Sequence, residues 1–71
     1  MPVVIDGRDL QPPEPLELTL NALETLADGD ELLLQVYCHP RPLFDILQRS
    51  GYVWQETIAD DGTHEIRIRK A

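Results

Sequence analysis

A single cysteine, Cys38, among 71 residues excludes an internal disulfide, so a hydrophobic core alone must hold the fold. There is no Cys-x-x-Cys pair or other spaced set of metal ligands. Apolar runs such as Val3-Val4-Ile5 and Leu32-Leu33-Leu34 fall far short of the ~20 residues that span a bilayer. No basic stretch followed by an apolar one marks a secretory leader, so the expected location is cytoplasmic, with no membrane partner. Bases are scarce: six against thirteen acids, for a formal charge of −7. Phosphate backbones need a basic surface, which argues against nucleic acid as a partner. Aromatic residues are only 6% of the chain, and Trp54 alone makes no binding platform.

What is present is an ordinary globular composition, 42% hydrophobic and 27% charged. A chain this short forms one domain, residues 1–71, with one small core that buries ~60% of the unfolded surface. The charge is uneven. Residues 1–36 hold eight acids against Arg8 alone, whereas residues 37–71 hold five of each sign. The acidic half is a solvated face, or a docking surface for a basic partner.

Val3 to Ile5 reads as a short β-branched strand, ended by Asp6-Gly7. Asp6 to Leu16 then turns the chain with three prolines. Pro13 suits a first helical turn, and Pro12 is held extended by the proline after it. Glu14 and Glu17 put negative charge on the positive end of the helix. Leu16, Leu20, Leu23 and Ala27 form an apolar stripe, flanked by Ala22 and Leu26, which predicts a helix from Pro13 to about Asp28, capped by Gly29. Leu18 points away from that stripe.

Asp30 to Cys38 predicts a central strand, with Leu32, Leu34 and Val36 on one face and Leu33, Gln35 and Tyr37 on the other. After His39-Pro40-Arg41-Pro42, Leu43, Ile46 and Leu47 predict a helix of about two turns, stopped at Gly51. Tyr52 to Ile58 and His64 to Arg69 predict two strands around an Asp60-Asp61-Gly62 hairpin. His64, Ile66 and Ile68 face inward, and Glu65, Arg67 and Arg69 outward. Phe44, Tyr52 and Trp54 belong to the core or its edge. The order β-α-β-α-β-β, with right-handed crossovers, puts both helices on one sheet face. It makes the first three strands parallel, with the last running back against them.

This order and the opening motif resemble the TusA/SirA-like superfamily of small sulfur carriers, whose signature is an Asp, a Gly-Leu pair, then Cys-Pro-x-Pro at the first helix. Asp6, Leu10, Pro13 and Pro15 hold the matching positions. The chain is more similar still to a branch of uncharacterised bacterial domains with a Pro-Pro-Glu-Pro-Leu start and a later Pro-Arg-Pro-Leu, here Pro12–Leu16 and Pro40–Leu43. The resemblance implies an α+β two-layer sandwich with sheet order 1-2-4-3. It also implies company in bacterial redox, respiratory, nitrogen or sulfur metabolism, with some members fused to haemerythrin-like domains. Two departures matter. Pro12 stands where the carriers have their cysteine, so sulfur carriage at that position is excluded, and Asp9 replaces the glycine of the Gly-Leu pair.

Loops after the carboxyl ends of parallel strands share one edge, the usual ligand edge of such sheets. Asp6, Arg8, Pro12, Pro13 and Glu14 belong there, as do Cys38, His39, Arg41, the hairpin turn and His64. Three readings of Cys38 and His39 stand open. One is a partly buried cysteine beside a turn histidine, and another is a reactive thiol at Cys38. The third is a metal site drawing on Cys38, His39 or His64. Arg41, at a helix start, could hold an anion, or each arginine could pair with Asp6, Asp9 or Glu14 and lock the loops together. The favoured expectation is a non-catalytic binding or adaptor module without a cofactor, docking to a protein partner through the proline-rich edge. The rival is a thiol or persulfide carrier using Cys38.

Overall fold

A computed structural model describes residues 3–11 and 14–70. Six elements follow in order: β1 (Val3–Asp6), α1 (Glu14–Glu24), β2 (Glu31–Val36), α2 (Arg41–Ser50), β3 (Tyr52–Ile58) and β4 (His64–Lys70). The sheet order is β1-β2-β4-β3, with β1 parallel to β2 and β4 antiparallel to both β2 and β3. This is the α+β two-layer sandwich expected from the sequence, strand for strand.

Alternation decides which face is covered. Leu32, Leu34 and Val36 of β2 and Ile66 and Ile68 of β4 are buried, and they meet Leu23 and Leu26 from the α1 side and Leu43 and Leu47 of α2. Phe44, Tyr52 and Trp54 pack against this cluster while only partly buried. The other sheet face carries Leu33, Glu65, Arg67 and Arg69, and beyond β2 Tyr37 is exposed. Charge alternating with apolar groups is usual on a solvated antiparallel face.

The first helix departs from its expected length. It ends at Glu24, not near Asp28, because Thr25 and Leu26 donate to the carbonyls three residues back, at Ala22 and Leu23. This tighter winding closes the last turn. It leaves Leu26 buried in the core and Ala27 exposed. Gly29 does adopt a positive φ of 89°, but within the Ala27–Asp30 turn that leads into β2. The apolar stripe also contains a residue not expected there. Thr19 is fully buried, and its hydroxyl donates to the Pro15 carbonyl at 2.8 Å, which satisfies it. Leu18 is exposed, as its position off the stripe requires.

The second helix runs ten residues, longer than the two turns expected, and closes on Gly51 in the left-handed conformation. At its start the Pro40 carbonyl accepts from the Leu43 and Phe44 amides. The β3–β4 connection closes through Ala59 N–H to Thr63 C=O at 2.8 Å, with Gly62 at φ 90°. No helix among the described residues is long and apolar enough to cross a membrane.

Candidate functional site

Two features share the edge at the carboxyl ends of β1 and β2. The first is a groove of about 280 Å³ between the start of α1 and the start of α2. Pro15 and Leu16 line it from α1, and Leu34 and Val36 form part of it from β2. Cys38, His39, Pro40, Pro42 and Leu43 complete the lining. Three prolines in this lining carry no N–H, so the surface is apolar and its backbone is constrained.

The strand ends are drawn close beneath it. Gly7 N–H donates to the Gln35 carbonyl at 2.7 Å, and a Cβ at Gly7 would stand 3.1 Å from Val36 Cγ1 and 3.2 Å from Pro15 Cβ. Glycine is needed here for close approach, since it leaves room for Pro15 to sit on β2.

The second feature is a cluster of two histidines on one carboxylate. Glu56 lies on β3, His64 opens β4, and His39 comes from the β2–α2 connection. His64 Nδ1 donates to Glu56 Oε2 at 2.8 Å; His39 Nδ1 lies 3.0 Å from Oε2 and 3.1 Å from Oε1. An ionised carboxylate only accepts, so each ring carries its proton on Nδ1. Burial pushes the Glu56 carboxyl up, but the hydrogen bonds from His64 and His39 outweigh it and hold the group below its ordinary value.

Aromatic packing orients the outer ring. His39 meets Phe44 edge-on at 4.7 Å, and Phe44 stacks on Trp54 at 5.3 Å. The Arg41 amide also donates to the His39 carbonyl at 2.9 Å. His39 therefore lines the groove and bonds to Glu56, linking the two features.

The residues singled out in the sequence divide unequally between these features. Cys38 and His39 line the groove, whereas Arg41, Asp6, Arg8 and Glu14 do not. Cys38 is exposed rather than partly buried, because β2 ends at Val36 and the chain bends away over Tyr37 and Cys38. His39 and His64 meet, but Cys38 stands outside their cluster.

Asp6 and Arg8 bind each other. Arg8 Nε and Nη2 reach the two Asp6 oxygens at 2.9 Å each, and the Arg8 amide adds a third bond at 3.2 Å. These bonds lower the Asp6 carboxyl to about 2. The pair joins the end of β1 to the turn just after it, so it does not lock two loops together as expected. Among the described residues Arg41 makes no ion pair. Pro12 and Pro13 lie outside the described residues.

Glu56 escaped the sequence reading. Its signal was its phase on β3: it continues the half-buried positions of Tyr52 and Trp54, so an acid stands on the helix-covered face. His64 keeps the same phase with Ile66 and Ile68 on β4.

The solved structures that share this architecture include a SirA-like protein from Desulfitobacterium hafniense, with a TM-score of 0.82 and 22% identity over 96% of this chain and 95% of that one. At that identity the likeness defines the class by fold: a SirA-like two-layer sandwich. Comparison with curated proteins finds no match. The family model described as "Uncharacterized conserved protein (DUF2249)" matches residues 4–70, and the chain belongs to that family.

Proposed function

We propose that this chain is a non-catalytic binding module that receives an apolar segment of a protein partner in the proline-walled groove. The observation that carries this reading is the groove itself. It is concave and apolar, and it stands at the strand-end edge where α/β sheets place their ligands. Its prolines are already fixed, so little conformational freedom is lost when a partner docks. The superfamily resemblance supplies the expected company, a bacterial cytoplasmic partner in redox or sulfur metabolism.

The test compares affinity capture by the wild-type chain with capture by Pro42→Glu, which places a charge on an exposed lining position. The expected result is a partner lost in the variant, whose docking peptide shifts the amide signals of Leu16, Cys38, His39, Arg41 and Leu43. Identical capture by both proteins, or shifts confined to the open sheet face, would overturn the reading.

A second reading rests on Cys38, a free and exposed thiol on the groove lining. There it could carry sulfur in place of the missing family cysteine. A persulfide donor should then label Cys38 in the folded chain, and alkylation of the folded protein should outpace that of the unfolded chain. Equal alkylation rates and no labelling would dismiss it.

A further inference from the structure

We infer that His39, Glu56 and His64 form a binding site for one divalent first-row transition-metal ion of the zinc or ferrous class. The first support is convergence. Three ligand atoms from three separate segments lie within 4.8 Å of one another, and both rings aim the same nitrogen at one carboxylate. An ion with bonds of ~2.0–2.2 Å holds its ligand atoms ~3–4 Å apart, so small side-chain rotations suffice to admit it.

The second support is the donor set. Two imidazoles and a carboxylate, without thiolate, suit zinc or non-haem iron and leave coordination positions open. The third is placement. Glu56 interrupts an otherwise apolar series on the covered face of β3, and a single histidine would already satisfy one of its oxygens. The second ring is half-exposed, with 52% of its side chain accessible, which leaves an approach from solvent. It is also pre-oriented by Phe44, so little side-chain order remains to be imposed.

Binding requires a change that hydrogen bonding alone does not. Each neutral imidazole must move its proton from Nδ1 to Nε2, freeing the Nδ1 lone pair for the metal while the ring stays neutral. Any open coordination position would lie beside the groove, because His39 lines both.

The test is titration of the full chain with zinc sulfate alone, in a non-coordinating buffer. Stoichiometry is read by native mass spectrometry, and the His ring nitrogens by long-range proton–nitrogen NMR. The expected result is one ion per chain, with both His39 and His64 switching from the Nδ1-H to the Nε2-H tautomer. His39→Ala, at an exposed ring, and Glu56→Gln should each weaken binding by more than the roughly 10–100-fold that loss of an outer hydrogen-bond partner costs. Cys38→Ser should leave affinity unchanged. No saturable binding, unchanged ring tautomers, or affinity lost with Cys38→Ser but kept with Glu56→Gln would each overturn the assignment.

Discussion

Replacing Glu56 with glutamine separates the energy of the two-histidine contact from its geometry, because shape is kept and charge is removed. The carboxylate accepts from His64 at 2.8 Å and from His39 at 3.0 Å. A buried hydrogen bond to a charged group contributes ~1.5–3 kcal/mol. The His64 side chain is 17% accessible and should approach that range. The His39 side chain is 52% accessible, so its bond should fall to the ~0–1 kcal/mol of exposed pairs. Glutamine keeps one acceptor oxygen but turns an N–H₂ group towards the remaining donor. The net loss should be ~1–2 kcal/mol, or a Tm lower by ~4–16 °C for a domain of this size. Thermal and urea unfolding followed by Trp54 fluorescence, at neutral pH with a chelator present, measures it. A double-mutant cycle of Glu56→Gln with His64→Leu should show the larger coupling, and the cycle with His39→Ala the smaller. An unmoved Tm, or stronger coupling to the exposed ring, would refute the reasoning.

Other expectations follow from the same geometry. The Asp6 carboxyl, held down chiefly by its side-chain bond with Arg8, should titrate near 2 by carbon NMR. Because that pKa is depressed, the pair's contribution is intact above about 4 and disappears as pH falls through about 2; Arg8→Gln should return the midpoint towards 3.8. Leu47, fully buried between α2 and the sheet, should cost ~2–5 kcal/mol as Leu47→Ala in a denaturant titration. That is a large share of the ~4–11 kcal/mol available to a chain of this length. Gly7→Ala should lower stability by ~1–3 kcal/mol through overpacking against Val36, Pro15 and the Gln35 carbonyl. Ala27→Gly, at an exposed position past the helix end, should stay within ~0.5 kcal/mol, and a larger loss would mean that α1 continues beyond Glu24.

The sequence by itself determined the architecture, because side-chain period is a local property. Leu32, Leu34 and Val36 alternate with a period of two, as do Ile66 and Ile68, and the Leu16-to-Leu23 spacing repeats every helical turn. With right-handed crossovers, those patterns put both helices on one sheet face, while the order β1-β2-β4-β3 was implied by the resemblance to the sulfur carriers and agrees with the observed sheet. Helix ends were less legible. Thr25 and Leu26 shorten α1 because Leu26 packs into the core, a tertiary demand that local spacing does not display. Sequence also settled that Pro12 cannot act as a thiol, since that follows from residue type alone.

Only the tertiary structure decided which chemical groups meet. His39 is 17 residues from Glu56, and His64 is eight. They converge because antiparallel pairing of β3 and β4 sets Ile58 opposite His64 and puts Glu56 diagonally beside it. The β2–α2 connection then brings His39 across the same edge. Cys38, adjacent to His39 in the chain, ends outside the cluster because neighbouring residues on a bending segment point different ways. Spacing along the chain records faces and periods, whereas a site built from two paired strands and a connecting segment depends on register and on the turns that set it.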